Sequence, residues 1–276
     1  MHYNKRKQIL KNDNHNVQTS EGCQVPKRVM DRAMVNSYDA PSMIEKLKSR
    51  FKAFDIQHNR SLDIEFPESL FRQASVLIPL RIVDGEYNII LTVRSKQLRN
   101  HAGIVAFPGG MKDDTDADHI HTALREAEEE IGLPPEDVEV IAVLSPGITK
   151  PNSVVYPVIG IVKSDFQARR NESEVELVFE LPLRRFLSSD RMRVEDFISP
   201  IKATYHVHHF VDTVQGESVD TWGFTAIFCV MTALCVYQSD QSFCFYEQTQ
   251  VNKDTVFDPG MTRHMLQQML KLEAKL

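Results

Sequence analysis

Glu126, Glu129 and Glu130 follow Arg125 in the run REAEEEIGL, residues 125–133. On a helix, at about 100° per residue, Glu126 and Glu130 lie roughly 40° apart, with Glu129 about 60° to the other side of Glu126. The spacing therefore predicts carboxylates that project together. Like charges held this close repel, and something must offset that cost. Oxygen donors of this kind suit Mg²⁺ or Mn²⁺, and a divalent ion held there would polarise a phosphate oxygen or lower the pKa of a bound water. A solvated acidic helix face is the plainer alternative. The arginine in front, a glycine turn ahead and a clean helix stop behind weigh against it.

The elements that must position these groups are legible nearby. Thr115, with Asp118 three residues on, reads as a capping box in which Asp replaces the usual Glu or Gln. Ala117, Ile120, Leu124, Ala127 and Ile131 recur at helical steps and form one apolar stripe, with the carboxylates beside it rather than within it. Gly132 suits the left-handed position past a helix end, and Pro134 and Pro135 prevent continuation. Pro108, Gly109 and Gly110 make a tight turn ahead of the acidic loop. Upstream, residues 76–83 and 86–94 are apolar runs joined by Asp84-Gly85, a strong hairpin signal. Residues 138–144, 154–162 and 204–211 read as further strands, and the turn-rich SPGITKPNS between the first two of these is expected to face the site. Helices are expected over 41–54, 223–237 and 261–272. Irregular alternation of strands and helices predicts an α/β fold with a mixed sheet between helical layers.

The chain has 276 residues, with 42% hydrophobic and 25% charged, enough for one large domain with extensions. A net charge of −6 leaves no electrostatic footprint for nucleic acid. The four cysteines, Cys23, Cys229, Cys235 and Cys244, form no Cys-x-x-Cys pair and read as free thiols. The longest apolar stretch, 223–237, is 15 residues and reads as a core helix rather than a membrane span. Lys5, Arg6 and Lys7 have no apolar run behind them, so no secretory signal is expected, and Asp13 and Glu21 speak mildly against a mitochondrial one. His206 and His208 share a strand face, but no cysteine or carboxylate spacing accompanies them, and they read as strand surface.

The stretch 107–133 resembles a Nudix box, the diphosphate-hydrolase motif. Gly110 opens it, and Arg125, Glu126, Ala127, Glu129, Glu130, Gly132 and Leu133 fill its distal half. Asp116 stands where the general motif has Glu, with one extra residue before Arg125; both departures are typical of the branch that cleaves coenzyme A. The segment LTVRSKQLRNHAGIVAFPGG, residues 91–110, matches that branch's upstream signature at Arg94, Ser95, Arg99, Gly103, Phe107, Pro108, Gly109 and Gly110. The resemblance covers about residues 73–230. It implies the Nudix fold, an α/β/α sandwich with a mixed β-sheet, and a coenzyme A diphosphatase dependent on Mg²⁺ or Mn²⁺. Its substrate would be coenzyme A or acyl-CoA and its products 3′,5′-ADP and 4′-phosphopantetheine or its acyl form. Glu126, Glu130 and Glu129 would hold metal, Arg125 would orient the acidic cluster, and Gly109 and Gly110 would form the turn below the substrate. Arg94 and Arg99 read equally as phosphate contacts or as solvated strand-end cations. Glu174 or Glu176, in a further segment similar to the branch, could add a metal ligand or base; a solvated acidic turn is the other reading. The general base itself is not assigned.

Four segments follow: a poorly ordered extension over 1–40, a helix and linker over 41–72, the Nudix domain over 73–237, and a tail over 238–276 with a terminal helix. Ala274-Lys275-Leu276 resembles the Ser-Lys-Leu peroxisomal address. Because the coenzyme A branch includes peroxisomal enzymes, an import receptor is the expected partner and the peroxisome the expected location, with mitochondrion or cytoplasm as alternatives. Two other functions stay open: a Nudix enzyme acting on NADH or ADP-ribose, and a non-catalytic nucleotide-binding module of the same fold.

Overall fold

The computed structural model describes residues 39–273, apart from 68, 99–100, 150–151 and 200–202, with no side chains described over 271–273. Residues 1–38 of the N-terminal extension, with Cys23, and also Arg99 and the tripeptide 274–276 lie outside the described residues, whereas Asp39 and Ala40, expected to belong to the extension, cap and begin a helix. In chain order the elements are α1 (Ala40–Phe51), β1 (Arg72–Val83), β2 (Glu86–Arg94), β3 (Val105–Ala106), β4 (Gly109–Met111) and α2 (His119–Ile131). Then come β5 (Val138–Val143), β6 (Gly147–Thr149), β7 (Ser153–Val162), β8 (Val175–Pro182), β9 (Met192–Ile198), β10 (Thr204–Val214) and β11 (Glu217–Trp222). The chain continues through α3 (Gly223–Tyr237), β12 (Phe243–Tyr246), β13 (Thr249–Val251) and α4 (Gly260–Glu273).

The first sheet has the order β3-β2-β1-β7-β5, with β4 on β1, β6 on β7 and β8 on β2. Its central pair, β1 and β7, is parallel from Arg72↔Ser153 to Leu80↔Ile161, while the other ladders are antiparallel, so the sheet is mixed. Strand alternation divides its side chains between two cores. Ile78, Ile89, Leu91 and Ile159 point to one, with Leu47 and Phe51 of α1 and most of α3. Leu77, Ile90 and Val158 point to the other, with Ala123, Ala127 and Ile131 of α2 and Leu266 of α4. Covered on both faces, β7 is buried along its whole length, which explains its unbroken apolar sequence. This is the expected α/β/α arrangement.

The hairpin turns at Asp84 and Gly85, both with positive φ (50° and 79°), as a type I′ turn requires. α1 is capped by Asp39, whose carboxylate accepts from the Ser42 N–H, and a single 3₁₀ turn continues it to Phe54. The SPGITKPNS segment is not wholly loop. Its Gly147–Thr149 pairs with β7, and a Cβ on Gly147 would stand 2.8 Å from the Phe224 ring, so this part serves packing against α3. No helix among the described residues is long and apolar enough to cross a membrane; α3 is an interior helix.

A second sheet, β11-β10-β12-β13 with β9 on β10, was unexpected apart from the β10 strand. Beyond it the chain returns to the core shared by α1 and α3. Phe257, 3% exposed, packs its ring 5.9 Å from Phe51, 5.4 Å from Phe54 and 6.4 Å from Phe228. Phe257→Ala should therefore destabilise the whole domain by about 3–5 kcal/mol, measured by urea unfolding. A loss confined to α4, with the main transition unmoved, would contradict this packing.

Candidate active site

The site forms where α2 crosses the β1–β4 ladder. Ser75 and Val76 of β1 pair with Gly110 and Gly109, and Leu77 donates its N–H to the Pro108 carbonyl at 2.9 Å. A Cβ on Gly109 would lie 2.4 Å from the Ser75 carbonyl oxygen, and one on Gly110 would lie 2.5 Å from the Glu126 carboxylate. The turn expected at Gly109 and Gly110 is corrected to strand β4, whose missing Cβ atoms let it press against β1 on one side and admit Glu126 on the other.

Glu130 sits deepest, 1% exposed. Its Oε2 accepts from the Gly109 N–H and its Oε1 from Arg94 Nη1, each at 3.2 Å. Burial pushes its carboxyl up to about 7; Arg94 and the Gly109 N–H oppose that rise, and Glu126 and Glu174 add to it. Burial also raises Glu126, against the pull of Arg125, whose Nη2 is 3.1 Å from its Oε1. The expectation that the carboxylates stand beside the buried stripe is corrected at Glu130, because the start of β4 covers that part of the helix.

Arg125 organises the acidic loop. Its Nε and Nη2 donate to the two oxygens of buried Asp116, both at 3.0 Å; Nη1 donates to Glu129 at 3.0 Å and Nη2 to the Met111 carbonyl at 3.1 Å. This forked contact holds the Asp116 carboxyl well below the usual range. The capping expectation is corrected here as well. Asp118, not Thr115, is the cap, accepting from the His121 N–H at 2.8 Å. Asp116 turns inward to Arg125, so the helix cannot begin until the chain has passed it, and Ala117 is exposed rather than part of the stripe. Gly132 ends α2 in the left-handed conformation at φ 67°.

The structure brings Glu126, Glu130, Arg94, Gly109 and Gly110 together, while Glu129, half exposed, is drawn onto Arg125. It also separates Glu174 from Glu176. Glu174 raises both Glu126 and Glu130, and the Asn171 amide donates to it at 3.3 Å, whereas Glu176 pairs outward with Lys96 at 2.9 Å. Sequence reasoning passed over Ser75 and His119, whose contact at 3.2 Å joins β1 to the first turn of α2; a serine within an apolar strand gives no signal of its own. His206 is held by Asp196 and the Glu247 carbonyl, and His208 is buried.

Among the described residues, no three His, Cys, Asp or Glu side chains stand close enough together to enclose a metal ion as placed. The donor chemistry nevertheless fits a hard divalent cation. Two desolvated carboxylates, both raised further by Glu174 and Glu130 also by Glu126, would be relieved by a positive charge beside them.

The NUDIX domain profile matches residues 71–197. A relative from Shigella sonnei, named an uncharacterized Nudix hydrolase, NudL, is 47% identical over 185 residues, spanning 67% of this chain and 90% of that one. The chain belongs to the Nudix hydrolase family. NudL proteins from Escherichia coli K12 and Cronobacter sakazakii are 47% identical over 184 residues and 38% identical over 193, covering 66% and 68% of this chain and 89% and 92% of theirs. The Nudix domain of Shewanella oneidensis NrtR, solved with ADP ribose, aligns at 19% identity and a TM-score of 0.36, over 45% of this chain and 81% of that one. Nudix hydrolases act on diphosphates and generally use divalent ions such as Mg²⁺ or Mn²⁺.

For this Nudix site, Asp116 supplies a pH test. Its folded pKa is depressed, so its contribution to stability is present above the ordinary value of 3.8 and is lost as pH falls through the depressed value. Asp116→Asn should cost about 2–3 kcal/mol at pH 7, with the gap to wild type closing once the pH drops below that range. A gap that persists unchanged at the lowest pH where both remain folded would count against the pair.

Proposed function

We propose that the chain is a metal-dependent coenzyme A diphosphatase, splitting coenzyme A or an acyl-CoA into 3′,5′-ADP and 4′-phosphopantetheine or its acyl form. The observation that carries this reading is Arg94 on Glu130. The segment that opens the coenzyme A signature delivers its guanidinium to the innermost carboxylate of the Nudix helix, so that the branch signature and the Nudix box meet at one site.

A diphosphate resists water because its negative oxygens repel a nucleophile. Glu126 and Glu130, with Glu174 as a neighbouring carboxylate, would hold Mg²⁺ or Mn²⁺, which when bound neutralises phosphate oxygens and lowers the pKa of a bound water. Arg94 offers further forked N–H donors to a phosphate oxygen. The Gly109 N–H keeps Glu130 aimed at the site, and the missing Cβ of Gly110 leaves Glu126 its place. Arg125, occupied by Asp116, Glu126 and Glu129, orients the acids and stays off the substrate.

The test is a product-resolved comparison of diphosphate substrates with Mg²⁺ and Mn²⁺. Dephospho-coenzyme A keeps the diphosphate and pantetheine arm but lacks the 3′-phosphate. A charge-assisted contact of about 1.5–3 kcal/mol makes it the poorer substrate by roughly 10- to 150-fold in kcat/KM. In the same assay Glu126→Gln should lower kcat by about 10²–10³-fold. Equal turnover of both substrates, or a preference for NADH or ADP-ribose, would replace this reading with a broader nucleoside diphosphate hydrolase.

We further propose that Ala274-Lys275-Leu276 acts as a peroxisomal address for the import receptor. Such a signal is read at a free terminus. Removing Leu276 should move the protein from peroxisomes to cytosol with kcat unchanged in vitro; an intact protein without peroxisomal enrichment would make the tripeptide a coincidence.

A further inference from the structure

Ser75 is fully buried in β1, and its hydroxyl lies 3.2 Å from Nδ1 of His119. His119 opens α2, and its ring lies flat on Tyr156 of β7, with centroids 3.6 Å apart and planes 13° from parallel. Burial pushes the imidazole pKa below its ordinary value, so the ring is neutral at neutral pH. The contact therefore joins two neutral groups in a water-poor place, where a single hydrogen bond fixes geometry well.

His119, Glu126 and Glu130 fall within about 20° of one line along α2, the ends of that line about 16 Å apart. Each end is fastened to the same ladder. At one, Glu130 accepts from the Gly109 N–H. At the other, His119 meets Ser75, whose register partner is Gly110. Glu126 lies between them, against Gly110, where the clearance is set by a missing Cβ. Beside the buried stripe of Ala123, Ala127 and Ile131, the two fastenings add polar contacts that oppose a roll of α2 about its axis.

We propose that His119 is a positioning residue, the second of two pins that fix the roll of α2 and so place Glu126 and Glu130 for hydrolysis. The inference rests on the diphosphatase reading above. A carboxylate about 5–6 Å from the helix axis moves about 1 Å for a roll of about 10°. A misplacement of that size costs on the order of hundredfold in rate.

The test uses the full chain. His119→Phe keeps a ring on Tyr156 and removes the hydrogen bond, Ser75→Ala removes it from the other side, and the double variant completes a cycle. Each single variant should lower kcat roughly ten- to hundredfold, with KM within about twofold of wild type. The double variant should be no worse than the more impaired single one. Each should also weaken Mn²⁺ binding measured by calorimetry without substrate, and His119→Asn, which can return an amide near the Nδ1 position, should recover part of both losses. A packing role alone would lower Tm and leave kcat, Mn²⁺ affinity and the rescue unmoved; that result, or additive losses in the double variant, overturns the proposal. An active wild type with unaffected variants overturns this inference alone. A wild type that hydrolyses no diphosphate and binds no Mn²⁺ overturns the functional reading with it.

Discussion

A helix can share its carboxylates with a strand only where the strand has no side chains to keep it away. Gly109 and Gly110 provide that gap. A methyl group on either would meet the Ser75 backbone or the Glu126 carboxylate at 2.4–2.5 Å. The close approach excludes water from Glu130 and much of it from Glu126, and the loss of water lifts their pKa values. The same approach brings in the groups that keep the arrangement tolerable: the Gly109 N–H and the Arg94 guanidinium. Steric absence in β4 thus sets the electrostatics of α2.

The surrounding sheet holds this close approach in place. β1 is held on one side by the parallel ladder to β7 and on the other by β2, and both faces are covered by apolar cores. A platform fastened on four sides can carry a helix whose inward residues are charged rather than apolar. The cost of burying acids is offset by the stripe Ala123, Ala127 and Ile131, each fully buried on the same helix.

What the sequence disclosed and what it withheld divide along physical lines. Interactions settled within a few residues were legible: the Asp84-Gly85 turn, the Gly132 stop, the apolar face of α2 and the run of β7. Contacts that depend on a distant partner were not. Asp116 is locally a loop acid, and only Arg125 nine residues on shows why it turns inward and displaces the cap to Asp118. Helical spacing puts Glu126 and Glu130 on one face but cannot tell which of them the start of β4 covers. The branch signature brought attention to Arg94, yet its partner Glu130 is a tertiary fact. The second sheet escaped for another reason. β9 is exposed along nearly its whole length, Val194, Phe197 and Ile198 included, so its apolar residues mark no buried face, and β12 and β13 are too short to show a pattern.

The acidic loop, residues 112–117, has a different significance. Asp116 reaches Arg125 from outside the helix, since α2 starts only at His119. The separation of the two residues along the chain is therefore not counted in helical turns. An added residue ahead of the cap lengthens a solvent-facing arc and leaves the phase of every group on α2 untouched, at a loop-closure cost of well under about 1 kcal/mol. This is how the spacing between Asp116 and Arg125 can exceed that of the general motif by one without rotating Glu126 or Glu130 away from the glycines. Spacing after the cap has no such freedom. Motif length is elastic on one side of Asp118 and rigid on the other.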